Sequence, residues 1–527
     1  MVNRDNKISF PLVDPFLPYY SEPHISPKNS LPVSQVELDD KYNIQQKVEE
    51  EGKKKKWLVI HYGAGDNNLA SYIFSDVDEL EKVGSDNNTH IVSILDVGKW
   101  YGVPFKGARI FYLKKDNVSG KINSPVIKNL GQVNTADPKF MASVIKEIIK
   151  RFPAENIAIF IGDHGAGWEG AVEDDSAGGK FMKLGEIREA LEEVSRAIGK
   201  RIDVLAFDAC LMAMAEVGYE LKDAVKYMVA SEQLEGGEGY NYTILFSKAM
   251  ADAIKNLQQA IFLKIKLGPE EFSKLIVNAA KEYSHDIETI SAVDLDKVYN
   301  LANSINSFAE TVMSRIKEYE IHSVLNGYQK LVDDLQKLKE EKNNPDYDKI
   351  VEILKNYNTL IKALSVALGT VPKNAEDLES HVNQLKEFDK KLTGLLNAYA
   401  TLNISSKIQE LFGELNSTDA IKIKEKITKT QHFYGTFRDL KHFMQLIVDD
   451  QTISAEVREK AQQVIKALDE YVIAEFHVSK YPNANGVTIE LPSYGGAKTE
   501  YKETLFAKDT KWDELLDKLA KVNRKTG

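Results

Sequence analysis

The chain has 527 residues, of which 43% are hydrophobic and 28% are charged, and its formal net charge is −11 at pH 7. This is the composition of a globular protein of roughly two to four domains, and the acidic balance disfavours nucleic acid and anionic membranes as partners. The single cysteine excludes an intramolecular disulfide and a thiolate-rich metal site.

The first 56 residues are rich in proline, serine, asparagine and charged residues, and they end in four lysines at 53–56. We predict a segment with little core of its own, either a linker or a pro-segment whose basic end can be cut. The apolar patch at 8–18 contains an aspartate and three prolines, which the core of a signal peptide avoids. No signal peptide is therefore predicted in this segment, and no apolar stretch of the chain is long enough for a membrane span.

Residues 57–302 alternate short apolar runs with amphipathic stretches, which indicates strands and helices joined by short connections. Strands are predicted at 57–62, 90–96, 157–162, 202–208 and 227–231, with a β-hairpin around 109–113. Helices are predicted up to residue 81 and over 137–152, 184–198 and 211–225. This pattern favours an α/β fold with a mostly parallel sheet and helices on both faces.

The character of the chain changes between residues 303 and 430, where glycines and strand patterns nearly vanish. Apolar residues recur there at three- and four-residue spacing among Lys, Glu and Asp, which predicts an inserted all-helical segment. Residues 431–527 return to strand and turn patterns, and we expect them to complete the core formed by 57–302.

Two predicted strands end in residues that can form a nucleophile–base pair. The first is followed by Asp163, His164 and Gly165, and the second by Cys210. The carboxyl ends of parallel strands meet at one edge of a sheet. An imidazole there can lower the pKa of a thiol and protonate a leaving amine. The alternative is a buried cysteine that only packs.

The same two strand ends also offer donors for an oxyanion. Gly165 allows a close approach of the backbone, and Cys210 lies at a predicted strand-to-helix turn, where its N–H has no helical acceptor. The sequence Gly63-Ala64-Gly65 starts like a dinucleotide-binding loop but lacks its third glycine, so we interpret it as a turn.

Several segments of the chain resemble the clostripain family of cysteine peptidases, which belongs to the caspase-like clan. They are Trp57–Ile60, Gly65–Leu69, Asp163–Trp168, Phe207–Met212, Ser231–Glu232 with Glu235–Gly237, Thr289–Leu295, and the closing segment from Gly486–Ile489 to Trp512. The resemblance extends over residues 57–300 and 435–520 and leaves out the helical segment. It implies a caspase-like α/β/α sandwich and an endopeptidase that cleaves after Arg or Lys.

The resemblance also implies roles for individual residues. By motif, His164 is the general base and acid, Cys210 is the nucleophile, and the amides of Gly165 and Cys210 form the oxyanion hole. Because the motifs are long and in the right order, we prefer this interpretation to that of an inert cysteine.

The resemblance places Asp208 at the base of the S1 pocket, which receives the P1 residue on the amino side of the cleaved bond. A carboxylate two residues before the nucleophile is suited to bind Arg or Lys, although a structural or helix-capping aspartate is the alternative. Glu235 and Glu238, in the glycine-rich loop after the next strand, are candidates for a second S1 carboxylate.

Relatives of this kind resemble zymogens that cut themselves after a basic residue between the histidine and cysteine motifs. The loop 171–180 is polar and contains Lys180, which we predict as the site of self-cleavage, with the lysines at 53–56 as the alternative. No cofactor is required by this chemistry, and calcium is a candidate ligand. Glu173, Asp174 and Asp175 offer hard oxygen donors for it, although a solvated acidic loop is the simpler interpretation.

The leading hypothesis is thus a cysteine endopeptidase that acts on proteins or peptides with basic residues. One alternative is an inactive caspase-like scaffold that binds a partner through its helical segment, which the intact His164 and Cys210 disfavour. Another is a redox-sensing thiol protein, which would need neither Gly165 nor Asp208. The resemblance favours an extracellular or periplasmic location, and no pattern predicts an oligomeric state.

Overall fold

A computed structural model describes residues 48–98, 103–247, 267–283, 285–316 and 419–522, which all lie in one structural unit, Ile44–Gly527. The two described ends of the predicted helical segment, 303–316 and Asp419–Lys429, are helical. Residues 317–418 and most of the predicted N-terminal segment lie outside the described residues.

The described part of the chain contains eleven strands. They are β1 Lys55–Gly65, β2 Thr89–Val97, β3 Ala108–Tyr112, β4 Val126–Gly131, β5 Ala154–Gly162, β6 Ile202–Asp208, β7 Val225–Ala230, β8 Thr289–Asp294, β9 Phe437–Asp439, β10 Val472–His477 and β11 Thr488–Glu490. Nine of them form one sheet in the order β10-β8-β7-β6-β5-β1-β2-β3-β4, while β9 and β11 pair separately. The five central strands, β7-β6-β5-β1-β2, pair in parallel with one another, and each strand outside them pairs antiparallel with its neighbours.

Helices cover both faces of the large sheet. They are α1 Ala70–Val83, α2 Pro138–Arg151, α3 Leu184–Ile198 and α4 Ala215–Leu221, followed by helices at 242–247, Pro269–Ala280, 298–316, Asp419–Lys429, Leu440–Val448, Ala455–Tyr471, Leu505–Asp509 and Trp512–Lys521. None of these helices combines the length and the hydropathy that crossing a membrane requires, a finding that covers only the residues described above.

Alternate side chains of β1 pack into two separate cores. Leu58 and Ile60 belong to the core shared with α2 and α3, whereas Trp57 and Val59 belong to the core shared with α1 and the helix Pro269–Ala280. This alternation is the period of two that a strand buried on both faces shows. The predicted α/β/α sandwich with a mostly parallel sheet is confirmed.

The N-terminal end of β1 lies two residues before the predicted strand. The side chain of Lys55 is buried, where its Nζ pairs with Glu50 Oε2 at 3.1 Å and lies 3.2 Å from the hydroxyl of Tyr112. Lys53 and Lys54 are exposed. Cleavage after Lys55 would therefore require this end of the sheet to open.

The predicted helix over 211–225 is wrong at both ends, since α4 covers only Ala215–Leu221. Leu211 adopts a left-handed backbone conformation with φ of 69°, which a helix does not allow. Ala213 then bonds to two other segments: its N–H donates to Ser231 O at 2.9 Å, and its carbonyl accepts from Thr488 N at 2.8 Å. These tertiary hydrogen bonds replace the first helical turn.

The C-terminal part of the chain completes the core, and it also supports the loops at the sheet edge. Strand β10 pairs with β8, so that Val472 lies opposite Val293. The indole Nε1 of Trp168 donates to Glu490 Oε2 at 2.9 Å. The loop after β5 is therefore held by residues near the end of the chain.

Ile60 offers a test of the two-sided burial of β1, because it is fully buried. We expect Ile60→Ala to lower the free energy of unfolding by about 3 kcal/mol, since the substitution removes buried methyl groups and leaves a cavity. Denaturant unfolding followed by circular dichroism measures this loss. Val118 is 55% exposed, and Val118→Ala should change the free energy of unfolding by less than about 0.5 kcal/mol. Equal losses for the two variants would contradict the assigned burial.

Candidate active site

The strand ends that carry His164 and Cys210 are adjacent in the sheet, as predicted. Gly162 of β5 lies opposite Asp208 of β6, and the N–H of Asp163 donates to Asp208 O at 3.2 Å. The two loops that follow therefore leave the sheet side by side, at its carboxyl edge.

The backbone of Gly165 packs directly against that of Cys210. A Cβ atom on Gly165 would lie 2.3 Å from Cys210 O and 3.1 Å from Cys210 N, so only glycine fits. The expectation that Cys210 lies at a helix start is wrong, since α4 begins at Ala215. Within the described residues, neither the Gly165 N–H nor the Cys210 N–H donates to a backbone carbonyl of another residue.

The imidazole of His164 is oriented by Asn68, which follows β1. Its Nε2 lies 2.6 Å from Asn68 Oδ1, and an amide oxygen only accepts hydrogen bonds. Nε2 therefore carries the proton in the neutral ring, and Nδ1 carries the lone pair. Burial lowers the pKa of His164 below its usual value and favours this neutral form. The sequence motif contained Asn68, but no pattern marked it as a partner of the histidine.

Asp163 joins three segments around His164. Its Oδ1 accepts hydrogen bonds from the His164 N–H at 2.6 Å and from Asn67 Nδ2 at 2.7 Å, and its Oδ2 accepts one from the Glu173 N–H at 2.6 Å. Burial raises the pKa of this carboxyl well above its usual value, although these donors oppose the shift. Asp163 thus fixes the histidine loop to the end of β1 and to the loop 171–180.

Two residues beside the site have a strained backbone. Among the non-glycine residues that the structure describes, only Val172 and Leu211 have positive φ, at 66° and 69°. Such conformations cost on the order of 1–3 kcal/mol, so the surrounding structure must impose them. The Val172 N–H donates to His164 O at 3.2 Å, and the Leu211 N–H donates to Gln233 O at 3.2 Å. Neither residue type signals such a turn in the sequence.

The thiol of Cys210 is held by the loop after β7. Its Sγ accepts a hydrogen bond from the Glu235 N–H at 3.2 Å, and His164 is not among its hydrogen-bond partners. Burial, followed by the negative charge of Glu235, raises the pKa of Cys210 to about 12. The thiol is therefore protonated at neutral pH in this arrangement, which makes it a poor nucleophile.

Asp208, the last residue of β6, lies in a pocket of acidic and tyrosine side chains. Its Oδ1 accepts from the Tyr240 N–H at 3.0 Å, and its Oδ2 accepts from the Tyr242 hydroxyl at 2.8 Å. The carboxyl of Glu235 is hydrogen-bonded to that of Asp208. The Oε1 atom of Glu235 is buried and has no hydrogen-bond partner. Burial raises the pKa of Asp208 to about 7, and burial with the charge of Asp208 raises that of Glu235 well above its usual value. The two carboxyls can therefore share a proton.

Further carboxyl groups surround this pair. Asp76 on α1 is buried, and burial followed by the charge of Asp208 raises its pKa well above the usual value. Glu79, also on α1, accepts from the Tyr242 N–H at 2.8 Å. Glu238 is exposed on the loop and contributes to the field at Asp76. Of the predicted S1 carboxylates, Asp208 and Glu235 are in contact, and the two residues on α1 were missed because they lie far away in the sequence.

The loop 171–180 has a fixed base and an exposed tip. The Ala171 N–H donates to Met182 O at 3.1 Å, and the Met182 N–H donates to Val172 O at 3.0 Å. Residues 175–180 are all exposed, including Lys180. Asp174 is buried, whereas Asp175 points to solvent, so the three predicted oxygen donors of this loop do not face one site.

The chain is similar in sequence and in structure to clostripain-type cysteine proteases. The model of the clostripain family matches residues 61–519. Clostripain of Hathewaya histolytica is 23% identical over 339 residues, a match that covers 56% of this chain and 64% of that protein, so the chain spans less than two thirds of its length. The X-ray structure of a secreted C11 cysteine protease from Bacteroides thetaiotaomicron, in complex with an irreversible peptide inhibitor, has a TM-score of 0.50 at 14% identity. That match covers 87% of this chain and 99% of that one, and it supports the fold.

The environment of Cys210 predicts slow alkylation of the uncut protein. Because the folded pKa is about 12 and the ordinary value is about 8.5, the thiolate fraction near pH 7.5 should be lower than that of a free cysteine by a factor of about 10³. The rate of reaction with iodoacetamide, followed by mass spectrometry, should keep rising with pH up to at least pH 10. The protein has one cysteine, so unfolded protein in denaturant is a clean control that should react at the ordinary rate. A plateau of the folded rate below pH 8 would show instead an ion pair with a histidine.

Proposed function

The chain belongs to the clostripain family of cysteine peptidases, and from this premise we propose that it is an endopeptidase that cleaves peptide bonds after Arg or Lys. The observation that carries the proposal is the buried carboxyl pair of Asp208 and Glu235. The pair lies beside the one thiol of the chain: Asp208 ends the strand next to the one that leads to His164, and Glu235 follows β7.

In the proposed mechanism Cys210 attacks the carbonyl carbon of the scissile bond after His164 Nδ1 has taken the thiol proton. The oxyanion that forms accepts hydrogen bonds from the N–H groups of Gly165 and Cys210. The C–N bond then breaks, and the imidazolium returns the proton to the leaving amine. Water, deprotonated by the same imidazole, hydrolyses the thioester. Asn68 keeps the proton on Nε2 and so leaves Nδ1 to act as the base.

The carboxyl pair supports the choice of a basic P1 residue. Two carboxyls that share a proton in a buried pocket are destabilised by their mutual repulsion, and an arginine or lysine side chain would relieve it by displacing the proton. A guanidinium can bond two carboxylate oxygens at once. An acidic or apolar P1 side chain would leave the charge uncompensated, and the pocket therefore selects by charge.

We also propose that the uncut chain is a zymogen that is cut after Lys180. In support, Lys180 lies at the exposed end of a loop whose base is bonded to His164 through Val172, so a cut there relaxes the histidine loop. The protonated thiol and its contact with Glu235 fit a latent state. The lysines at 53–56 are the weaker candidate, because Lys55 is buried in β1.

Fluorogenic peptides that differ only at P1 test the activity. We expect kcat/KM for Arg or Lys to exceed that for Asp or Ala by at least about 10²-fold, because a buried carboxylate left unpaired costs several kcal/mol. Cys210→Ala should abolish turnover. Asp208→Asn should lower kcat/KM for Arg peptides by about 10²-fold, chiefly through KM.

The matched control is Asp223→Asn, which removes a carboxylate that is 63% exposed, at the end of α4 away from the site. It should leave kcat/KM within about twofold. Equal turnover of all the P1 peptides would contradict the proposed specificity. Turnover by the Cys210→Ala protein would contradict the role of Cys210 as the nucleophile. If the protein is folded and cut but hydrolyses none of the peptides, the proposed endopeptidase activity is wrong.

Self-cleavage is tested on the purified chain by intact mass and N-terminal sequencing. We expect two fragments with a new N-terminus at Phe181, and we expect neither Lys180→Ala nor Cys210→Ala to form them. Lys54→Ala removes an exposed lysine of the alternative site and should be cut like the wild type. A new N-terminus within 54–57, or cleavage of the Cys210→Ala protein alone in solution, would refute Lys180 as the site of self-cleavage.

A further inference from the structure

Three carboxylates meet at the carboxyl edge of the sheet, on the side of β1 away from Cys210. Asp66 follows β1, Asp96 is the penultimate residue of β2, and Asp174 belongs to the loop 171–180. Their side chains are 2%, 0% and 1% exposed, and one oxygen of each lies within 4.8 Å of the others. Ala64 lies opposite Asp96 in the sheet, and this register brings the first two together.

Asp96 has no adequate partner. Neither of its carboxylate oxygens accepts a hydrogen bond of ordinary geometry, although the Val97 N–H approaches one of them. Burial, followed by the charges of Asp66 and Asp174, raises its pKa to about 8. No lysine, arginine or histidine within the described ranges forms an ion pair with any of the three carboxylates. The charge of Lys106 and the Val97 N–H oppose the rise in the pKa of Asp96 only in part. A buried carboxylate without a well-placed donor or ion-pair partner is costly.

The geometry and chemistry of the three groups fit a hard cation. Oxygens bound on opposite sides of Ca²⁺, each at 2.3–2.6 Å, lie at most about 5 Å apart, which matches the 4.8 Å limit. All three ligands are carboxylates, without nitrogen or sulfur, which disfavours zinc and other softer metals. Mg²⁺ keeps several of its waters, whereas Ca²⁺ accepts ligands mainly from the protein, and the near-complete burial therefore favours Ca²⁺.

We propose that Asp66, Asp96 and Asp174 form a binding site for a hard divalent cation of the Ca²⁺ type, which fastens the loop 171–180 to the ends of β1 and β2. Only Asp174 was among the donors expected from the sequence. Glu173 and Asp175, its neighbours in the acidic run, lie outside the cluster.

This site is linked to the residues around His164 by short connections. The Asp175 N–H donates to Asp66 O at 2.8 Å, and Asp174 Oδ2 accepts from the Thr135 N–H at 2.9 Å. Asn67, next to Asp66, donates to Glu173 O at 3.1 Å, and Asn68 contacts the imidazole of His164. A bound cation would therefore stabilise the base of the loop that carries Lys180 and the residue that orients His164.

The test measures binding rather than turnover, in full-length Cys210→Ala protein freed of metal with a chelator. We expect CaCl₂ to raise the Tm and to give saturable binding by calorimetry. Tb³⁺ should give luminescence sensitised by Tyr62, whose hydroxyl lies 2.7 Å from Thr135 O near the cluster. Adding Asp96→Asn should weaken Ca²⁺ binding by at least about tenfold and remove the rise in Tm.

Asp175→Asn is the matched control, since it removes the same charge from the next residue of the loop. It should keep Ca²⁺ affinity within about threefold. Asp96→Asn removes repulsion among buried carboxylates, so without cation its Tm should equal or exceed that of the Cys210→Ala parent. If that variant does not unfold cooperatively, Asp66→Asn replaces it with the same expectation.

Three results would overturn the proposal. They are the absence of Ca²⁺ binding to the parent at millimolar concentration, unchanged affinity in both Asp96→Asn and Asp66→Asn, and loss of affinity only in Asp175→Asn. Mg²⁺ binding as tight as that of Ca²⁺ would overturn the assignment to the larger cation. Because no peptide is hydrolysed in these measurements, they are independent of the proposed protease activity.

Discussion

Buried negative charge at the carboxyl edge of the parallel strands is the constraint on which the rest of the site depends. Asp96, Asp163 and Asp208 lie at or just after the ends of β2, β5 and β6, and all three are buried. Parallel strands direct their ends to one edge, and each carboxyl there needs donors, a proton or a cation. Asp163 accepts hydrogen bonds from backbone and amide donors, and Asp208 can share a proton with Glu235. The carboxylate oxygens of Asp96 have no such hydrogen-bond partner. These three solutions correspond to the residue that positions the His164 loop, to the proposed pocket for a basic side chain and to the proposed cation site.

The reactive groups at this edge are restrained by their neighbours. Cys210 is bonded to the backbone of Glu235, the residue whose side chain pairs with Asp208. A cationic side chain that enters the pocket would act on Glu235 and, through it, on the sulfur. In the proposed mechanism, Glu235 would therefore take part both in substrate recognition and in activation of the thiol. The two loops also contain the strained residues Val172 and Leu211, whose N–H groups donate to His164 O and Gln233 O.

The sequence supports some parts of this structure better than others. The central strands, their order along the chain and the adjacency of the His164 and Cys210 loops follow from apolar runs and from parallel topology. Asp208 is recognisable because it lies only two residues before the cysteine, at the end of the strand that leads to it. Asn68 and Asp96 are not recognisable, because their importance depends on which strands pair and on which donors are missing. The shortened α4 was missed because hydrogen bonds from Ala213 to distant segments, rather than local preference, decide where that helix begins.

The long-range support of the site has a consequence for the timing of synthesis. The contact between Trp168 and Glu490 joins residues 322 positions apart, and Ala213 is bonded to a residue 275 positions later. At typical rates of translation the ribosome needs on the order of half a minute to span such a distance. During that interval the nascent chain holds both proposed catalytic residues but not the segment that fixes their loops. The proposed catalytic residues are thus made long before the residues that hold their loops, and this order of synthesis would keep the proposed activity from the unfinished chain.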